Sequence, residues 1–588
     1  MFQTFESSTS PEQGPPRLAA LRAKMAEVGV NGFIVPRADA WQGEYVAPCD
    51  ERLAWLTGFT GSAGYCIVLA DKAGVFVDGR YRVQVKEQVS TDVFTPVDWP
   101  EVSLSAWLAE HGSGKVAYDP WLHSPKQIEA LAASGLELVA TENLVDAIWE
   151  DRPARPEGRV FAHPVELAGE ASADKAARLG KVLAEAGESA AILTLPDSIC
   201  WLLNIRGSDI PRIPIVQSLA ILRADGRVDL FVEADKVVDL IFGTGVSIHP
   251  PEAFIFVVAG LEGRVRLDPA SCPLAVVEAL TATVSHGADP CVLPKATKNE
   301  VELQGARAAH ARDAVAMVEF LAWLDEQKPE DVTEISAAQA LEGFRRATNA
   351  LQDISFETIS SAGAHGAVVH YRVTEETNRS LKSGELYLVD SGGQYVDGTT
   401  DITRTVALGE PPSDAKAAFT RVLQGMIALS RIRFPKGVAG SHIDTLARAP
   451  LWMAGQDYDH GTGHGVGSYL SVHEGPARIS RVSDLPLEPG MILSNEPGYY
   501  KEGAFGIRIE NLIVVEEAQP LPGGDARDFM SFETLTYVPI DRRLIVPGML
   551  SREERAWIDA YHMECVRRLE GQISPRAEAW IGQATLSL

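Results

Sequence analysis

The chain has 588 residues, enough for three or four domains, and its 46% hydrophobic content is that of an ordinary globular protein. Lys and Arg total 53 against 80 Asp and Glu, so the net charge is −27; such a surface repels phosphate backbones and excludes nucleic acid as a partner. No apolar run reaches the ~18 residues of a membrane span, and MFQTFESSTSPEQGPP lacks the basic-then-apolar order of a leader, so no membrane partner and a cytoplasmic location are expected.

Residues 1–16 are polar and Pro-rich and read as a frayed lead-in. A helix pattern from Pro16 ends at Gly29, where a left-handed cap costs little. The strand GFIVP follows, then YCIVLA and AGVFVD divided by a turn. Helix–strand alternation of this kind predicts an α/β domain. DRPARPEGR, near Asp151, reads as a linker. Beyond it the first pattern returns: Trp55-Leu56 precedes Gly61-Ser62, and Trp201-Leu202 precedes Gly207-Ser208 at the same distance. Two related N-terminal α/β domains are therefore expected. After Pro294 a long amphipathic helix, with Val315, Val318 and Leu321 among its apolar positions, opens a third domain. A helix from Ser413 to about Phe434 carries the stripe Phe419, Val422, Leu423, Met426 and Ile427, and Pro435 stops it. In the tail, Ser551 and Glu554 form a capping box before Trp557, Ile558 and Tyr561. Six cysteines are scattered without CxxC spacing and read as buried thiols.

Five segments carry chemistry: LYLVDSG, GTTDITRT, GTGHGVG, LSNEPGYY and GIRIEN. They contribute Asp390, Asp401, His464, Glu496 and Glu510, four carboxylates and one imidazole. That oxygen-rich set suits two hard or borderline divalent ions, Mn²⁺ first, with Zn²⁺ or Co²⁺ as alternatives. Side chains alternate along a strand, so Leu386, Leu388 and Asp390 share a face, as do Asp401, Thr403 and Thr405. A hairpin through GGQYVDG would bring Asp390 and Asp401 together. Arg508 and Glu510 point one way and Ile507 and Ile509 the other, which lets Arg508 support a bridging carboxylate from behind. Each segment alone has an ordinary reading, as a turn or cap aspartate or a loop histidine. It is the five together, in this order, that predict a dinuclear centre.

These segments, with DERLAWLTGFTGSAG, WLLNIRGSDIP, VVHYRVTEETNR, VHEGP and the tail MLSREERAWIDAYH, resemble the pita-bread metallopeptidases of the M24 type, and among them the three-domain aminopeptidase P (Xaa-Pro aminopeptidase) family. The resemblance spans nearly the whole chain. It implies an α/β (α+β) fold: two creatinase-like N-terminal domains, 1–155 and 156–300, then a pita-bread catalytic domain, 301–588, with an extension from about 525. In that family's pattern Asp390 chelates one ion, Asp401 and Glu510 bridge both, and His464 and Glu496 complete the second. The implied catalytic residues are His370, His473 and Glu496, with Glu496 as proton shuttle; the implied substrate-binding residues are His370, His460, His473 and Arg508. The implied reaction removes the N-terminal residue from peptides with proline second, using a hydroxide bridging two metals, in a homodimer formed through the catalytic domain. The chemistry agrees, since a tertiary prolyl nitrogen must gain a proton to leave and the developing oxyanion needs a positive partner.

Two positions depart from the family's pattern. Trp41 stands in PRADAWQGEY where relatives often carry histidine, and Arg212 in SDIPRIPIV where other residues are common, so preference for longer peptides is open. Taken alone, His370 between Val369 and Tyr371 would read as a half-buried strand histidine, and His365, His442 and His562 receive no role. Rival readings are a prolidase restricted to dipeptides, a metal-free creatinase-type hydrolase, and a binding protein on the same scaffold.

Overall fold

The computed structural model describes all residues from Met1 to Leu588. Two units emerge: Ser8–Val292, and Leu293–Leu588 together with Met1–Ser7.

In the first unit, the helix Gly14–Val28 buries Leu18, Leu21 and Met25, which its 3.6-residue period places on one face, and ends at Gly29 with φ 76°. A six-stranded sheet follows, in the order Thr95–Asp98, Ala73–Val77, Tyr65–Leu69, Gly32–Pro36, Lys115–Tyr118, Glu137–Ala140. A second sheet runs Val246–His249, Val228–Phe231, Leu219–Arg223, Ala190–Leu193, Arg264–Leu267, Thr283–His286. Within each sheet the first strand in sequence pairs antiparallel with the second and parallel with the fifth. Each second strand is antiparallel to its third, and the third–fourth and fifth–sixth pairs are parallel. The duplication legible in Trp55 and Trp201 is thus a repeated topology. Both tryptophans lie on short helices, Arg52–Thr57 and Pro196–Leu203, closed by left-handed Gly58 (φ 91°) and Asn204 (φ 50°). Trp41 is a packing residue: its indole donates to the Ser218 carbonyl at 2.9 Å and lies against the second sheet's core. Arg212 takes φ 74°, a conformation that disfavours a side chain. All six cysteines are free and buried.

In the second unit, Asn299 and Glu302 form a reciprocal capping box that starts the helix Glu300–Glu326. The helix Ser413–Arg431 buries the expected stripe and stops three residues early, where Ile432 turns extended ahead of Pro435. A three-stranded sheet orders Ile359–Ala362, Leu386–Ser391 and Ile402–Ala407. A six-stranded sheet orders Phe434–Pro435, Phe529–Thr534, Asn511–Glu517, Ile492–Asn495, Gly463–Gly465 and Glu474–Ile479. Ser551 and Glu554 cap the helix Arg552–Leu569, as expected, and its Ile558, Tyr561 and Cys565 join the same core as the helix Ser413–Arg431. No helix is long and apolar enough to cross a membrane.

The first residues are not frayed. Phe2 and Gln3 donate backbone N–H groups to the Glu342 carboxylate at 2.8 and 3.4 Å, the Gln3 amide pairs with both polar backbone groups of Thr358, and Phe5 is buried against Val373 and Leu388. Their polar composition hid one apolar anchor and a set of partners some 340 residues away.

Candidate metal centre

The strands Leu386–Ser391 and Ile402–Ala407 pair antiparallel with Asp390 opposite Thr403, and a small hairpin, Gly393–Tyr395 with Gly398–Thr399, joins them. Asp401 lies one residue before its strand instead of within it. Glu496 follows the strand Ile492–Asn495, and Glu510 occupies the joint between Phe505–Arg508 and Asn511–Glu517. Three of the five candidate ligands therefore sit at strand ends, where the backbone leaves the ladder and side chains can converge. His464 is in the short strand Gly463–Gly465, with a register shift at His464/Gly465. Such a bulge re-aims a side chain. A Cβ on Gly463 would meet the Ser494 carbonyl at 2.0 Å, so only glycine lets this strand lie so close to its neighbour.

Ligand atoms of Asp401, His464 and Glu510 lie within 4.8 Å of one another. His464 Nε2 is 3.4 Å from Asp401 Oδ2 and 3.5 Å from Glu496 Oε1. Its Nδ1 is 2.9 Å from the Gly465 carbonyl, which fixes the Nδ1–H tautomer and leaves the Nε2 lone pair facing the carboxylates. Ser494 donates to Glu496 Oε1 at 3.0 Å and Thr403 to Glu510 Oε2 at 2.8 Å. Asp390 Oδ2 accepts from Arg508 at 2.6 Å. Arg508 thus pairs with Asp390, not with either carboxylate expected to bridge, and reaches Glu510 only through the Thr403 hydroxyl. At 2% exposure its guanidinium supports the acidic cluster from within the protein.

The set fits cations. Asp390 Oδ1, Asp401 Oδ1 and Glu510 Oε1 are buried and have no hydrogen-bond partner. Buried anionic oxygens are costly unless something positive meets them. Burial, then the neighbouring carboxylates, pushes Asp401 and Glu510 far above the usual carboxylate range. Burial also raises Glu496, with His464 and Arg508 pulling back. The linkage has a definite sign. Carboxylates raised in the fold hold protons that the unfolded chain has released, so the contribution of these three groups to the stability of the metal-stripped fold falls as pH rises above about 4. Metal-stripped protein is expected to melt lower at pH 8 than at pH 6, and added Mn²⁺ to raise the melting temperature more at pH 8. Differential scanning calorimetry at the two pH values checks this.

Two of the histidines connect to the cluster, by different routes. The His473 ring is 4.3 Å from that of His464, edge to face. His460 reaches the cluster through Tyr500, a residue that sequence reasoning did not single out. The Tyr500 hydroxyl accepts from Arg508 at 2.6 Å and lies 2.9 Å from His460 Nε2, while His460 Nδ1 lies 2.7 Å from the Gly461 carbonyl. Protons then run one way, from Arg508 to Tyr500 to His460. Burial pushes the Tyr500 hydroxyl up to about 12, against the pull of Arg508, so it stays neutral. The only signal for Tyr500 was its place in NEPGYY; the strand pairing of Gly498 with Arg508 that aims it is not visible in sequence. Tyr500→Phe is expected to keep the fold and lower kcat/KM by about 10- to 100-fold, the usual range for a group that orients ligands. Steady-state kinetics beside metal analysis checks it. His370 lies in a turn after Gly363–Ala367, not in a strand, and its neighbour Val369 accepts from Arg508 at 3.3 Å. His365 pairs with buried Glu334 at 2.9 Å, His442 accepts from the Ala439 N–H at a helix start, and His562 is a core histidine that accepts from the Ile540 N–H.

Comparison with known proteins gives a consistent picture. Residues 304–517 match the model of metallopeptidase family M24, and 528–588 match the C-terminal region of peptidase M24. Residues 17–148 and 151–302 match two models of the creatinase/prolidase N-terminal domain. Aminopeptidase P2 of Arabidopsis thaliana is 38% identical over 93% of this chain and 85% of its own. A probable Xaa-Pro aminopeptidase P of Talaromyces stipitatus is 39% identical over 94% and 89%. Among solved structures, the X-prolyl aminopeptidase of Caenorhabditis elegans, described as a cytosolic enzyme with a dinuclear active site, superposes with TM-score 0.92 at 33% identity, over 97% of this chain and 99% of that one. The dipeptidase PepE of Mycobacterium ulcerans (TM-score 0.51, 23% identity) shares the fold over 64% of this chain and 98% of its own.

Proposed function

The chain belongs to metallopeptidase family M24, and from that premise we propose that it is a metal-dependent Xaa-Pro aminopeptidase, releasing the N-terminal residue of peptides with proline second. The observation that carries the reading is a buried four-carboxylate, one-imidazole cluster with unpartnered oxygens in a chain that matches a dinuclear X-prolyl aminopeptidase end to end.

Asp390, Asp401, His464, Glu496 and Glu510 are the residues that would hold two divalent ions. When bound, the ions supply Lewis acidity, which polarises a carbonyl and makes water nucleophilic at neutral pH. The protein's own groups do the rest. Glu496 carries the proton to the departing prolyl nitrogen; burial strengthens its hold on that proton, which suits a group that must take one and give it back. His473, beside His464, donates to the substrate carbonyl oxygen as charge develops there. His370 faces the transition state from the turn that Arg508 secures through Val369. His460 packs beside the rings of Tyr458 (4.7 Å) and Tyr500 (5.4 Å), which hold it in place as the residue that would meet the proline ring.

Mn²⁺ is the proposed metal, because the donors are oxygen-rich and include no thiolate. A cytoplasmic setting is supported by the cytosolic description of the C. elegans enzyme. A homodimer through the catalytic unit rests on the family pattern and on Leu446, Trp452 and Met453, apolar side chains left exposed along and just past the helix Gly440–Trp452.

Prolidase is the nearest rival, and two complete N-terminal domains with a C-terminal region stand against it. A metal-free creatinase-type reaction would leave the orphaned carboxylates without a purpose. The test is cleavage of Arg-Pro-Pro beside Ala-Pro. Release of Arg from the tripeptide with slow dipeptide turnover supports the proposal; rapid Ala-Pro cleavage with the tripeptide untouched would establish a prolidase.

A further inference from the structure

Arg404, three residues past Asp401 in the strand Ile402–Ala407, is 1% exposed, yet every partner of its guanidinium is neutral. Nε donates to the Pro539 carbonyl at 3.2 Å. One terminal nitrogen donates to the carbonyls of Thr403 (2.8 Å) and Glu510 (2.6 Å). The other reaches Asn511 Oδ1 (2.8 Å), the Val538 carbonyl (2.8 Å) and the Tyr561 hydroxyl (3.0 Å). A buried cation without a paired counter-ion is costly, so its six neutral acceptors must together offset that cost.

Two features make this more than a packing contact. First, Arg404 holds the backbone on both sides of a ligand's support: it fixes the Glu510 carbonyl and the carbonyl of Thr403, whose hydroxyl donates to Glu510 Oε2 at 2.8 Å. Glu510 lies in a two-residue joint outside any strand ladder, where its own N–H donates to that same Thr403 carbonyl at 3.2 Å, so Arg404 ties together both ends of the contact that seats it. Second, the far side of the guanidinium is closed by the C-terminal region. Tyr561, on the helix Arg552–Leu569, brings its hydroxyl to Arg404, to the Val538 N–H at 3.3 Å and to the carbonyls of Val538 and Thr536 at 2.9 and 3.0 Å. The Tyr561 ring is itself held between those of Trp557 (5.2 Å) and Tyr537 (5.8 Å).

We propose that Arg404 and Tyr561 are positioning residues through which the C-terminal region sets the geometry of Glu510, so that this region, remote in sequence from every candidate ligand, determines metal affinity. The inference rests on the metal-centre reading alone and is independent of which peptide is cleaved. Metal-stripped full-length protein is titrated with Mn²⁺ by calorimetry as wild type, Tyr561→Phe and Arg404→Lys. Tyr561→Phe removes one oxygen and keeps the stacked ring; it is expected to weaken the weaker Mn²⁺ site about tenfold. Arg404→Lys keeps the charge, but three donors cannot meet six acceptors, and it is expected to weaken that site further or lose one ion. Ile581→Val, a small cut in the same C-terminal core, gives the signature of a merely structural change: a lower melting temperature with Kd unchanged. If Tyr561→Phe shows that same signature, or if Arg404→Lys alone fails to fold while Tyr561→Phe binds Mn²⁺ as wild type does, the proposal is overturned. A wild type that binds no Mn²⁺ overturns the centre itself and this inference with it.

Discussion

Asp401→Ala is expected to leave a folded protein that no longer holds two divalent ions and that hydrolyses Arg-Pro-Pro at least about 10³-fold more slowly, because several kcal/mol of charge stabilisation go with the metals at about 1.4 kcal/mol per decade. Asp401 is 4% exposed, and its carboxylate lies against His464 and within the influence of Asp390, Glu496 and Glu510. Its removal has a second, opposite effect. Crowded buried carboxylates repel one another, so taking one away relieves the metal-stripped fold. The variant's stripped form should therefore melt no lower than the wild type's at pH 8, while the rise in melting temperature on adding Mn²⁺ disappears. Lost activity with lowered apo stability would instead indicate simple damage to the core. Full activity with two bound ions would mean that the ligand assignment is wrong.

His473→Ala should behave differently. The His473 ring packs edge to face on His464 and is not one of the five side chains assigned to hold the ions, so both ions should remain. Turnover should fall by about 10²- to 10³-fold, the effect of losing one donor to a developing oxyanion, with little change in KM. The measurement is kcat and KM beside the metal content of the same preparation. Parallel loss of metal and turnover would make His473 a support for His464 instead of a partner of the substrate.

The contrast between these residues shows what a sequence can carry. The clustering of Asp390, Asp401, His464, Glu496 and Glu510 was legible because each lies in a short segment whose glycines and alternation state its local geometry, and the five segments point to one chemistry. The duplicated N-terminal domains were legible for the same reason, since Trp55 and Trp201 mark equivalent turns in two copies of one topology. The helix starts at Ser413 and Arg552 were readable because their signals are local: prolines just ahead of the first and the Ser551–Glu554 capping box at the second. What escaped depends on distant pairing. The partner of Arg508 is Asp390, 118 residues away, and alternation along GIRIEN gives the direction of the side chain without naming what it meets. Tyr500 acquires its place only once its strand pairs with Phe505–Arg508. The Met1–Ser7 strap depends on Glu342 and Thr358, and the Arg404 hub gathers acceptors from residues 403 to 561. Asp401 fell just outside its expected strand, and like Glu496 and Glu510 it joins the cluster where a ladder ends, whereas Asp390 and His464 join it from within one.

The most direct test of the central claim is to strip the protein of metal, titrate it with Mn²⁺, and follow release of Arg from Arg-Pro-Pro with Ala-Ala-Ala as control. The structure predicts no release without metal, activity that returns and saturates at two ions per chain, and Ala-Ala-Ala left intact. Undiminished cleavage by fully stripped protein, or equal cleavage of Ala-Ala-Ala, would contradict a dinuclear centre specialised for the prolyl bond.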